Sequence, residues 1–145
     1  MTLSTQAGGS VLVLGIGCAR GTSVGLLERG IDKTLADHLL AASAVGALAT
    51  IDSKQNEAGL LALSNRRGWP LTFFSAAQLA AAARGSQRGS ERVRARVGTP
   101  AVAEPAALLL AEADQLLIEK TVYRELGAQG SMTIAVAQRR QRADG

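Results

Sequence analysis

No polar side chain interrupts Val11-Leu12-Val13-Leu14-Gly15-Ile16, and the run then breaks into Gly17. An apolar stretch without alternation has no solvated face, so it predicts a strand covered on both sides, as in a parallel sheet between layers of helices. A helix should follow. Thr22 or Ser23 supplies its cap, and Val24, Leu27, Ile31, Leu35 and His38 recur at intervals of three and four, one apolar stripe reaching about Leu39. On that stripe His38 reads as a hydrogen-bonded core or boundary residue.

The pattern then repeats along the chain. Residues 47–51 predict a second strand, with Asp52 or Ser53 capping a helix from Lys54 to about Arg67 that Gly68 ends. Residues 70–74 predict a third strand, and Ser75 caps an Ala-rich helix to about Arg84. A further helix starts near Val102, carries Pro105 in its first turn and runs to about Ala113. Two more strands, at 115–120 and 132–137, flank the turn Gly127-Ala128-Gln129-Gly130 and pair as a hairpin at the sheet edge. The expected fold class is α/β, a single-domain sandwich with a mostly parallel sheet of about five strands ending in an antiparallel hairpin, helices on both faces. The expected domain spans 11–138, after a flexible N-terminus at 1–10 and before a basic tail at 139–145.

Composition narrows the function classes. A chain of 145 residues with 47% apolar content can bury about 70% of its unfolded surface as one domain. One Cys and one His cannot build a four-ligand zinc site or an intramolecular disulfide, so no metal, cofactor or staple is expected and the compartment reads as reducing. No apolar run approaches the roughly 20 residues of a membrane span, and the uncharged first 19 residues lack the basic start of a secretory signal. The expectation is a soluble cytoplasmic protein.

The net charge of +4 is unevenly spread. Arg84, Arg88, Arg92, Arg94 and Arg96 stand against Glu91, and Arg139, Arg140 and Arg142 against Asp144, leaving the remainder slightly acidic. Residues 85–97 read as a mobile basic surface loop. Trp69, Phe73, Phe74 and Tyr123 are the aromatic residues, and none interleaves with the Arg cluster, which argues against nucleic acid.

Chemistry concentrates in Gly15-Ile16-Gly17-Cys18-Ala19-Arg20-Gly21-Thr22-Ser23, between the first strand and its helix. Glycines there let backbone N–H groups approach an anion, the helix start adds partial positive charge, and Arg20 offers a bidentate donor. The third glycine falls one position late for a dinucleotide fingerprint, Asp52 lies much further on than the expected ~20 residues, and Gly21 stands where a phosphate-binding Lys belongs. A nucleotide- or phosphate-dependent α/β enzyme using this loop stays open as the alternative, as does a plain tight turn. Cys18, beside Arg20 and a helix start, reads as a candidate nucleophile with a lowered thiol pKa. Lys54 and Glu57, three apart on a helix face, follow Asp52, while Glu104 opens a later helix and Lys120 ends an apolar strand. Turns after parallel strands share one sheet edge, so these groups are expected to converge on one cleft.

Three segments in order resemble the CobE/CbiG C-terminal family of cobalamin biosynthesis: the glycine segment just quoted, then Ala49-Thr50-Ile51-Asp52-Ser53-Lys54 with Glu57-Ala58-Gly59-Leu60, and Val97-Gly98-Thr99-Pro100-Ala101-Val102-Ala103-Glu104. Ser90 and Val93 fit the same pattern, and the likeness covers about Val11 to Ala137. The free-standing length resembles members of the oxygen-dependent route. The resemblance implies a role in making the corrin ring, on tetrapyrrole intermediates that bear many carboxylates, alongside other enzymes of that pathway. In fused members the implied reaction is opening of a ring-A lactone with release of a two-carbon fragment. On this reading Gly15, Gly17, Arg20, Gly21, Thr22, Ser23, Asp52, Lys54, Gly98 and Lys120 bind the ligand. The chain then acts either as a carrier or as an enzyme with Glu57 or Glu104 as acid or base, or Cys18 as nucleophile.

Overall fold

The structure is a computed structural model that describes residues 10–85 and 102–140. Five strands form one sheet in the order β3-β2-β1-β5-β4, where β1 is Ser10–Cys18, β2 Val45–Ile51, β3 Leu71–Phe74, β4 Leu116–Tyr123 and β5 Met132–Arg140. The first three are mutually parallel, and β5 runs antiparallel to both β1 and β4. Among the described residues four α-helices cover the sheet: α1 Val24–Asp37, α2 Ala58–Arg67, α3 Ala76–Gly85 and α4 Ala103–Ala111. The expected α/β sandwich, with its parallel start and antiparallel end, is the fold observed.

Alternation along β1 divides the core. Leu12, Leu14 and Ile16 face one layer, where they meet Leu26, Leu27, Ile31 and Leu35 of α1 and Leu60 and Leu63 of α2. Val13 faces the other, packing with Ala103, Ala107, Leu108 and Ala111 of α4 and with Ala135 and Ala137 of β5. Each Leu or Ile fully buried in this way contributes about 1.5–3 kcal/mol. Small residues on both sides let α4 lie close to the sheet, and Gly15 takes this furthest. A Cβ there would collide with the Ala103 carbonyl oxygen and lie 2.8 Å from the Ala107 nitrogen. Gly15 is thus the bed of a helix and not part of an anion-binding turn.

Strand boundaries differ from expectation where pairing extends them. β1 continues to Cys18 because that residue still pairs with Met132, so Cys18 ends the strand and does not sit in the turn. β5 continues through Arg140, where the sequence suggested a tail from residue 139, and the Arg139 guanidinium donates to the Leu110 carbonyl at 2.6 Å. α2 starts at Ala58 and not at Lys54, because Asp52–Lys54 form a single tight turn, with Gln55 N–H donating to the Asp52 carbonyl and Glu57 N–H to that of Lys54. His38 is exposed at the end of α1, its Nδ1 2.9 Å from the Thr34 carbonyl, so the apolar stripe stops at Leu35.

Candidate functional site

The parallel strands end at one rim, which gathers the β1–α1 turn, the segment 52–57, the start of α4 and the β4–β5 hairpin. Two contacts build its centre. Gly21, with φ +82, turns the chain into α1, and its N–H donates to Glu57 Oε2 at 2.6 Å. Ser23 then caps the helix, its hydroxyl accepting from Leu26 N–H at 3.1 Å as the sequence suggested.

Thr22 has a different part from the one expected. It is buried, and its hydroxyl lies 2.8 Å from the Ala19 carbonyl and 3.2 Å from both the carbonyl and the N–H of Ser131. Its one O–H proton serves a carbonyl and one of its lone pairs accepts the Ser131 N–H, both inside the fold, so it ties the β1–α1 turn to the hairpin and holds the rim together. Gly130, at φ +96, was legible as part of a turn, but neither it nor its neighbour Ser131 was legible as part of the rim. Their partners lie more than a hundred positions away, a relation no local signal carries.

Cys18 faces the α1–α2 layer, partly buried near Lys54 and Glu57. Burial is the largest influence on its thiol and pushes it up to about 11; Lys54 opposes the rise and Glu57 adds to it. The expected lowering is therefore reversed. The sulfur faces the core side of the strand, where desolvation of a thiolate outweighs the nearby cation. Lys54 and Glu57 also do not share a helix face, since both precede α2.

Glu104 opens α4 as expected, but its carboxylate reaches across to edge strand β4, where Lys120 N–H donates to Oε2 at 2.8 Å. A register shift between Ile118 and Thr121 takes that N–H out of the regular ladder, and the carboxylate supplies its partner. Gly17 lies beside the start of this helix, in ordinary contact with Val102 Cβ at 3.7 Å. The rim thus holds two groups on opposite sides of β1 and not the one cleft the sequence suggested: Cys18, Gly21, Lys54 and Glu57 lie toward α2, and Gly17, Glu104 and Lys120 toward α4, because successive residues of the strand face opposite layers. Arg20 and Asp52 are exposed, and Gly98 lies outside the described residues, as do Ser90, Val93 and most of the basic loop. Among the described residues neither Arg20 nor Lys54 forms an ion pair, whereas Arg29, Arg66 and Arg67 are paired with carboxylates. Among the same residues no helix is long and apolar enough to cross a membrane, and no three His, Cys, Asp or Glu side chains group as metal ligands.

Known proteins match both the sequence and this architecture. Residues 12–137 match the family described as cobalamin synthesis G C-terminus. A cobalt-precorrin-5A hydrolase of Priestia megaterium is 38% identical over 127 residues; the match covers 88% of this chain but only 32% of the hydrolase, so the chain spans about a third of that protein. Protein CobE of Sinorhizobium sp is 32% identical over 143 residues, covering 97% of this chain and 93% of that protein. The crystal structure of CobE, a protein from the cobalamin biosynthetic pathway, superposes with a TM-score of 0.71 at 32% identity, covering 95% of this chain and 98% of the other. Cobalamin biosynthesis protein chiG from Agrobacterium tumefaciens gives 0.64 at 28% identity, over 86% and 97% of the two chains. With a family match across nearly the whole described fold, and a relative of its own length that is similar from end to end, this chain belongs to the cobalamin synthesis G C-terminal family, the family that includes CobE.

Proposed function

We propose that this chain binds a polycarboxylate tetrapyrrole intermediate of corrin synthesis at the rim, as a cytoplasmic carrier or accessory protein working beside other cobalamin-pathway enzymes. One observation carries the reading. A backbone N–H of the β1–α1 turn already holds a carboxylate, next in sequence to Arg20 and close to Lys54, two cations in no ion pair among the described residues. Such donors suit the acetate and propionate arms of a macrocycle. The name of the Priestia megaterium relative points to the same class of substrate.

Carriage is favoured over turnover by the state of the would-be catalysts. A thiol raised to about 11 is protonated near neutral pH and is a poor nucleophile. Glu104 accepts the Lys120 N–H that the β4 register shift leaves out of the ladder, a structural use for a carboxylate, and Glu57 is occupied by the Gly21 N–H. The test is to mix the purified protein with corrin-pathway intermediates and follow absorbance and mass. Binding without a change of ligand mass is expected, weakened about tenfold or more by Arg20→Ala if that contact is charge-assisted. Turnover abolished by Glu104→Gln or Cys18→Ser would establish an enzyme instead, and no binding by any intermediate would remove the reading.

A further inference from the structure

One contact at the rim is needed by neither of the elements it joins. We propose that the Gly21 N–H is a carboxylate-binding point, that Glu57 occupies it in the unliganded chain, and that a ligand's carboxylate arm binds by displacing Glu57. This rests on the polycarboxylate reading of the rim and assigns Glu57 the role of a specificity residue.

The β1–α1 turn keeps its shape without Glu57. Ala19 N–H donates to the Ser131 carbonyl at 3.1 Å, Thr22 N–H to the Ala19 carbonyl at 3.2 Å, and the buried Thr22 hydroxyl ties the turn to the hairpin. The start of α2 is equally independent. Leu60 and Leu63 are fully buried beneath it, and Gly59 lies so close to the Thr22 carbonyl that a Cβ would collide. Glu57 stands at the capping position of α2, yet its side chain makes no capping bond to that helix and reaches 36 residues back in sequence to Gly21. Nor is it ion-paired with Lys54, although both lie near enough to Cys18 to influence its thiol. Its contact with Gly21 is exposed, where exchange with a solution carboxylate is unobstructed.

Exchange of one carboxylate for another leaves the charge at Gly21 unchanged, so a monocarboxylate gains little over the resident side chain. A ligand with several carboxylates differs. Arms that also meet Arg20 and Lys54 make the displacement at Gly21 effectively intramolecular. Glu57 thereby excludes small acids and admits polyacids.

The test uses uroporphyrin I, an octacarboxylate tetrapyrrole, with the whole chain, followed by fluorescence and by the amide resonance of Gly21. A resident group holding the site most of the time lowers the apparent affinity by the fraction of open molecules. Glu57→Ala is expected to bind the probe about fivefold more tightly, which corresponds to about 1 kcal/mol. Glu57→Gln, which keeps a weaker oxygen acceptor, should fall between the two. In Glu57→Ala the Gly21 amide proton should lose its downfield shift and regain it when uroporphyrin is added. Glu119→Gln removes an equal charge from the exposed edge strand β4 without freeing the N–H. An equal gain from that variant would mean general charge repulsion and overturn the proposal. So would a Glu57→Ala protein whose Tm falls by more than about 5 °C, since the contact would then be a fastener. If the parent chain binds uroporphyrin and Glu57→Ala binds no better, the displacement fails while the polycarboxylate reading survives. If neither binds, both fail.

Discussion

Gly15→Ala is expected to loosen α4 from the sheet. The new Cβ would overlap the Ala103 carbonyl oxygen and stand 2.8 Å from the Ala107 nitrogen and 2.9 Å from the Ala103 carbonyl carbon. These are backbone atoms of one helix, so no rotamer change relieves them, and α4 must lift by about 1 Å to restore ordinary contact. That lift separates Ala103, Ala107, Leu108 and Ala111 from Val13, Ala135 and Ala137. Overpacking commonly costs about 1–3 kcal/mol, and with an unyielding obstacle we expect about 2–4 kcal/mol here. For a domain of this size the loss corresponds to a Tm lowered by about 6–12 °C. Gly17→Ala supplies the contrast, because its nearest neighbours are Val102 Cβ at 3.7 Å and Thr133 Cβ at 3.9 Å, and its φ is not positive. Its stability should stay within about 0.5 kcal/mol of the parent or rise slightly. Urea unfolding followed by the fluorescence of the buried Trp69, checked for a constant m value, measures both. Equal costs at the two positions, or a Gly15→Ala protein as stable as the parent, would refute the assignment of Gly15 to helix packing.

Other expectations follow from the rim. Cys18 should react with iodoacetamide at pH 7.5 about two orders of magnitude more slowly than a free cysteine, with a rate climbing toward pH 11. Lys54→Ala should slow it further and Glu57→Ala should speed it, and the opposite order would place those charges elsewhere. Glu125, held by Arg29 at 2.6 and 2.8 Å and by the Tyr123 hydroxyl at 2.7 Å, has a carboxyl lowered to about 2, chiefly by the Arg29 hydrogen bond. Because its folded value lies below the unfolded one, its contribution to stability is present above the ordinary carboxylate range and disappears as pH falls toward 2. A carboxyl NMR titration should show that midpoint, moving up toward 4.5 in Arg29→Ala. Thr22→Val should cost about 1–3 kcal/mol by leaving buried partners unsatisfied, while Thr22→Ser keeps most of the stability. Equal losses in the two variants would point to packing of the methyl group and not to the hydroxyl.

Much of the architecture was legible because burial in this fold follows local pattern. The unbroken apolar run of β1, the Ser23 cap and the Gly68 stop each carry their signal within a few residues, and all three hold. The rim was legible only as a location, since parallel strands oblige their outgoing turns to share an edge. What the individual groups do there was hidden. Gly15 looks like part of a phosphate loop until α4, nearly ninety residues later, is laid on it. The carboxylates of Glu57 and Glu104 find backbone partners 36 and 16 residues away, and neither partner leaves a trace in composition or spacing. The thiol of Cys18 depends on which side of β1 it faces, and that is decided by the two residues, Gly17 and Cys18, by which the strand outruns its apolar run. The helix boundary at Ala58 was missed for a local reason: Asp52, Ser53 and Asn56 have side chains that compete for nearby backbone groups and favour turns and caps, and the chain makes a tight turn there first.

The pairing of Ser10 with Arg140 has a consequence for larger assemblies. The first and last strands are neighbours in the middle of the sheet, and the chain enters and leaves the fold through adjoining doors on the floor opposite the rim. The same fold matches about a third of the Priestia megaterium relative and nearly the whole of the Sinorhizobium one, and in this chain the rim lies at the end of the sheet away from Ser10 and Arg140.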